Sequence, residues 1–143
     1  MAVLKANRTA QYALTATFTW NFDDTMLNTS GVSKNFGSSD LAFVGDVITL
    51  PPNSIVTDGH LDIITAFDTA GYDIIVGDSV DTDRYMATAD VKSVGTTALL
   101  TPGYINTGGL PIRLTIASDD VCTTGKARLV VSYIVDGRAQ EVS

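Results

Sequence analysis

The 143-residue chain has one cysteine, one histidine, one tryptophan and one glutamate. With Cys122 alone there is no intramolecular disulfide, so core burial has to hold the fold. With His60 alone, a histidine-based triad has a single place to be built, and neither Gly-x-Ser-x-Gly nor His-Glu-x-x-His occurs. No uninterrupted apolar run exceeds four residues, Leu41 to Val44 among them, against about 20 for a membrane-spanning helix. A membrane is therefore not an expected partner. A second full domain does not fit this length, but one domain burying about two-thirds of its extended surface does.

What the chain does have is aspartate and β-branched residues. Fifteen of the 16 acids are Asp, which favours turns, and Thr, Val and Ile make up 43 of 143 residues, which favours pleated strands. The formal charge is -7, so a phosphate backbone is repelled and nucleic acid is not an expected partner. Residues 1 to 11 carry Lys5 and Arg8 and no acid, leaving -9 on residues 12 to 143. The expected organisation is a basic N-terminal arm, 1-11, before an acidic domain, 12-143. The arm has no apolar stretch of signal-peptide length, so export by that route is not expected. Without it, the glycosylation patterns at Asn7 and Asn28 read as chance matches.

Tyr12 to Trp20 alternates with period two and reads as a half-buried strand. Asn21 to Gly37 is polar and turn-rich, a long loop with at most one short strand. Leu41 to Leu50 is interrupted by Gly45-Asp46 and stopped by Pro51-Pro52, which predicts a strand with a bend or bulge. His60 to Phe67, a turn at Asp68 to Gly71, and Tyr72 to Val76 together suggest a hairpin. Further strands are expected at Thr97 to Thr101, Ile112 to Ala117 and Lys126 to Val135, the last in a central position. The fold class is all-β: a single-domain antiparallel β-sandwich of seven to eight strands, Ig-like or jelly-roll. Its core is expected from Leu14, Phe18, Trp20, Ile63, Phe67, Ile74, Val76, Leu114, Ile116, Leu129, Val131 and Tyr133.

Motifs for chemistry are weak throughout. His60 reads as a polar residue opening a strand, and Cys122 as a small buried residue. Asp78, Asp81 and Asp83 offer oxygen ligands but lack an EF-hand spacing, so a solvated turn partly neutralised by Arg84 is the simpler reading. Gly125-Lys126 fails as a phosphate loop because Ala127 stands where Ser or Thr is needed. Asp23-Asp24 and Asp119-Asp120 are adjacent pairs, poorly disposed for paired acid and base work. No catalytic, cofactor-binding or metal-binding residue is expected, and no enzyme.

Three stretches carry a family resemblance. They are Val76-Gly77-Asp78 with Asp83-Arg84-Tyr85-Met86, then Gly125-Lys126-Ala127-Arg128-Leu129-Val130-Val131-Ser132-Tyr133, and Asp136-Gly137-Arg138-Ala139-Gln140-Glu141. In these the chain resembles the jelly-roll decoration, or cement, proteins of tailed-bacteriophage heads. The resemblance implies a non-enzymatic virion protein, made in the host cytoplasm, that binds the major capsid protein on the capsid exterior between capsomers. It also implies self-association, as a dimer or a trimer; open edge strands and the symmetry of a brace spanning two capsomers favour the dimer. The acidic body suits an exterior position, because packaged DNA repels it. Lys5 and Arg8 are the expected capsid contacts. The alternative is a head-fibre or tail-associated attachment module that binds carbohydrate, for which Trp20, Tyr72, Tyr85 and Tyr104 are the available aromatics.

Overall fold

The structure, a computed structural model, describes residues 8–9, 13–69, 71–136 and 140–141, the first and last pairs as backbone only. In chain order the strands are β1 (Arg8–Thr9), β2 (Leu14–Asn21), β3 (Thr25–Leu27), β4 (Ser33–Asn35), β5 (Ala42–Ile48), β6 (Ser54–Thr65), β7 (Asp73–Gly77), β8 (Gly95–Ala98), β9 (Ile105–Asn106), β10 (Ile112–Ala117), β11 (Lys126–Val135) and β12 (Gln140–Glu141). These twelve among the described residues exceed the seven or eight expected. The excess is in the two- and three-residue ladders of β1, β3, β4, β9 and β12, which are too short to leave a periodic trace in sequence.

One sheet runs β2-β11-β6-β8, with β9 also on β6, and a second runs β5-β10-β7. Every pairing is antiparallel. The seven longer strands pair in a nested order: β2 with β11, β5 with β10, β6 with β8, and innermost β7 with an isolated bridge from Val76 to Met86. Both sheets contribute to one core, Trp20, Leu61, Ile63, Ala127, Leu129 and Val131 from the first and Phe43, Ile74, Val76, Ile112, Leu114 and Ile116 from the second. The expected all-β antiparallel sandwich is what forms, and β11 is central as its two apolar faces imply.

Two irregularities explain where the alternation slips. In β6 the buried positions are Ser54 and Val56, then Gly59, Leu61 and Ile63. The register against β11 skips Thr57 there, and one extra residue turns every later side chain to the other face. In β5 the skip falls at Val47, between Asp46 opposite Arg113 and Ile48 opposite Ile112, the bend expected after Gly45-Asp46.

Two expectations need correction. The segments His60 to Phe67 and Tyr72 to Val76 do not form a hairpin: β6 pairs with β11 and β8, whereas β7 pairs with β10 in the other sheet. Just after β6 the Phe67 N–H donates to Val91 O at 2.9 Å. Asn21 to Gly37 is mostly turn and loop as expected, but it holds two short strands, the β3–β4 hairpin, where at most one was expected. Its order comes from asparagine side chains rather than apolar periodicity: Asn28 Oδ1 accepts the N–H groups of Ser30 and Val32, and Asn35 Oδ1 those of Gly37, Ser39 and Asp40.

The core list also changes in depth. Leu14 is 43% exposed, and Phe18 and Tyr133 are only partly buried, while Phe36, Phe43, Tyr85 and Met86 join the centre. Aromatic rings run from Phe18 through Trp20 and Phe36 to Phe43, with successive centroids 5.6, 5.9 and 4.6 Å apart. A second aromatic pair stacks Phe67 on Tyr72 at 4.3 Å, with the Phe67 ring against Gly125 and Tyr72 against Gly37. At φ +152°, and with the Phe67 ring where a Cβ would be, Gly125 is a packing requirement and not part of a phosphate loop.

Candidate interaction surface

The acidic loop after β7 is built around one buried carboxylate. Asp78 is 1% exposed, and its Oδ1 accepts the N–H groups of Val80 and Asp81 at 2.9 and 2.8 Å. Its Oδ2 accepts Arg84 Nε at 2.6 Å, and the Arg84 guanidinium lies 3.6 Å from the centre of the Tyr104 ring. Burial alone pushes the Asp78 carboxyl up, but Arg84 and the loop N–H groups outweigh it and the carboxyl lies below its ordinary range. Asp81 and Asp83 stay on the outside, where the Asp81 carboxylate beside it raises Asp83. Asp78 thus braces the loop with oxygens already committed. Among the described residues no group of three or more His, Cys, Asp or Glu side chains is arranged to hold an ion.

His60 sits on the outer face of the larger sheet, its Nε2 3.3 Å from Asp62 Oδ2. Asp62 also accepts from Thr96 Oγ1 at 2.8 Å and from Arg128 Nη2 at 2.9 Å, which ties β8, β6 and β11 together across that face. Burial works to raise the Asp62 carboxyl, and the Thr96 and Arg128 bonds with the nearby positive charges bring it below normal. Asp68 is lowered by the Thr123 hydroxyl and N–H.

A carboxylate lowered on folding contributes stability above its unfolded value and loses it as pH falls through the folded one. Asp62, Asp68 and Asp78 therefore predict a thermal midpoint that is steady near neutrality and falls below about pH 4. Asp83 shifts the opposite way; it and Asp68 are both exposed, so solvent screens the two of them and Asp62 and Asp78 carry the effect. Melting curves from pH 7 to pH 2.5 check this, and a midpoint that rises on acidification counts against it.

Cys122 is buried, and burial, with the charges of Asp68 and Asp120, pushes its thiol up, away from a nucleophilic thiolate. Trp20, Tyr72 and Tyr85 are core residues, and burial with the Asp78 charge pushes the Tyr85 hydroxyl up to about 12. The remaining aromatic, Tyr104, has Arg84 on its face. The four aromatics therefore do not form an exposed stacking platform. Lys5 lies outside the described residues. Arg8 is described by its backbone alone, in β1 opposite Glu141 of β12.

Open grooves lie among the described residues. One, about 440 Å³, is lined by Asn28, Lys34, Asp40, Leu41 and Phe43 among others; a second, about 360 Å³, by Phe18, Trp20, Met26 and Phe36 among others. The sheet edges are more distinctive. The β7 edge is closed by Tyr85 N–H and Met86 N–H donating to Val76 O at 2.9 and 3.0 Å, and β5 is met by Thr29 N–H donating to Val44 O at 2.9 Å. β8 has four residues. β2 has eight residues, no charge and no register irregularity, and among the described residues it has one hydrogen-bonded neighbour, β11. Its alternation is visible in the sequence, but its place at an edge is not.

No protein-family model matches the chain, and no curated protein does. Solved structures do. A chain of the cyanophage Pam1 capsid asymmetric unit aligns at TM-score 0.61 and 20% identity, covering 94% of both chains. A chain of the acidic stable capsid structure of Helicobacter pylori bacteriophage KHP30 aligns at 0.66 and 15%, covering 98% of this chain and 100% of that one. A chain of the Ralstonia phage GP4 capsid aligns at 0.56 and 13%, covering 94% and 91%. The protein therefore has the fold of chains found in three phage capsids.

Proposed function

We propose that the chain is a virion structural protein, a decoration or cement protein that binds the outer surface of a phage head between capsomers and stabilises it. The observation that carries this reading is likeness over whole chains in both directions. Nested pairing of the long strands supports a jelly roll whose fifth strand is reduced to the Val76–Met86 bridge. The chemistry fits a non-catalytic role: the lone thiol is buried, the lone imidazole is held by Asp62, and Asp78 is used in bracing its own loop. The charge of -9 on residues 12 to 143 favours the exterior, away from packaged DNA. The carbohydrate-binding alternative is weakened by burial of three of its four aromatics.

In this reading the partners are the major capsid protein and a second copy, with Lys5 and Arg8 of the arm adding attraction that salt screens. Heads assembled without this chain, then incubated with it, should carry it saturably through a density gradient and resist heat better. Removing residues 2 to 10 should leave folding intact and lower occupancy, most clearly at low salt. Heads that take up none of the full chain overturn the decoration role. Equal occupancy by the truncated chain removes the arm from it.

A further inference from the structure

We infer that the free edge of β2 is a self-pairing surface, on which two copies join β2 to β2 antiparallel across a two-fold axis at Thr17. This rests on, and deepens, the self-association in the functional reading above. A long, regular, uncharged edge is the kind that pairs with another chain, and proteins that stay single blunt such edges with charge, proline, bulges or cover. Among the described residues β7 is met by Tyr85 and Met86, β5 carries Asp46 and the skip at Val47, and β8 is short, whereas Leu14 to Thr19 carries none of these devices; only at Asn21 is the β2 backbone already engaged, its N–H donating to Asp24 Oδ2 at 2.8 Å.

The side chains favour a second copy as the occupant. Residues directly opposite in an antiparallel pair share a face, so a continuous sheet with both cores on one side needs the axis to pass through a residue. With Thr17 on the axis, Thr17 meets the partner's Thr17 and Thr15 meets the partner's Thr19 on the outer face, a favourable pairing for threonine hydroxyls. On the inner face Ala16 lies beside the partner's Phe18, small against bulky, and the exposed Leu14 beside the partner's Trp20.

Charge points the same way. Two chains of -7 repel over most approaches, and β2 is a neutral strip on which they meet without opposing like charges. The result is the path β8-β6-β11-β2 continued through its mirror order into eight strands. Such an isologous contact closes at two, favouring a dimer over a trimer.

Light scattering on the full chain should give twice the 15.1 kDa of a single copy. Thr17→Lys places two ammonium groups at the axis on an exposed position, and should give a folded species of half the wild-type mass, with its β-type circular dichroism kept. If that variant fails to fold, cysteine trapping decides. In a Cys122→Ala background, Thr17→Cys should cross-link to a dimer under copper-phenanthroline oxidation. Thr15→Cys mixed with Thr19→Cys should cross-link also, and neither alone. A monomeric wild type overturns the pairing, as does a dimer that survives Thr17→Lys and fails to cross-link. A monomer that decorates heads overturns this inference alone, and a β2-paired dimer that ignores heads overturns the capsid role alone.

Discussion

Leu129→Ala is expected to lower unfolding free energy by about 3 kcal/mol, the range for a fully buried leucine cut to alanine where neighbours only partly relax. Leu129 is 0% exposed at the middle of β11, the central strand, with Phe18 of β2 and Leu61 of β6 opposite it. Both neighbours are held in ladders, so the cavity has little room to collapse. Val131→Ala, two positions on and also fully buried, should cost about 2 kcal/mol for its smaller loss of volume. Urea denaturation should show both as a lower midpoint with unchanged slope. Unchanged midpoints for both would mean that the core is not centred on β11.

Asp78→Ala is expected to cost about 2 to 3 kcal/mol. The substitution leaves Arg84, 14% exposed at its side chain, without its carboxylate and frees two loop N–H groups. A sheltered charge without its partner is the costly case, and the remaining solvent access keeps it below the worst examples. Asp78→Asn keeps one acceptor for the Val80 and Asp81 N–H groups but sets its Nδ2 donor against Arg84 Nε, losing the ion pair and its hydrogen bond while the loop bonds remain, so it should cost less than the alanine variant. In both variants, limited proteolysis should cut between residues 78 and 84 sooner than in the parent. A loop as protected in Asp78→Ala as in the parent would leave the ion pair without a structural role.

The two substitutions mark how far sequence reasoning reaches. Leu129 and Val131 are legible because ten alternating residues report which side chains share a face, and the bounds of β10 and β11 follow directly. Leu14 shows the weakness of the same signal, since alternation reports a face and not a depth. Leu14 lies on the inward face, yet the opposite sheet does not cover it. Asp78 is legible as one of three acids in a turn. Which acid is buried depends on the loop folding back so closely that a Cβ on Gly77 would come within 2.2 Å of Asp81 O. No local pattern encodes that approach.

Local chemistry determined the all-β class, the antiparallel sandwich, the central place of β11 and the bend in β5. Each follows from nearby residues: β-branched alternation, two apolar faces, Gly-Asp, Pro-Pro. Only the tertiary structure decided that β6 and β7 part into different sheets. The Asp68 to Gly71 turn suits either a hairpin or a crossover, and the choice belongs to β10 and β11, far along the chain. The same holds for Phe36, Tyr85 and Met86, apolar residues outside the expected strands that become core when distant strands close over them. It holds most for β2, whose free edge is a property of the order in which strands hydrogen-bond, and strand order is set by the packing of the whole domain.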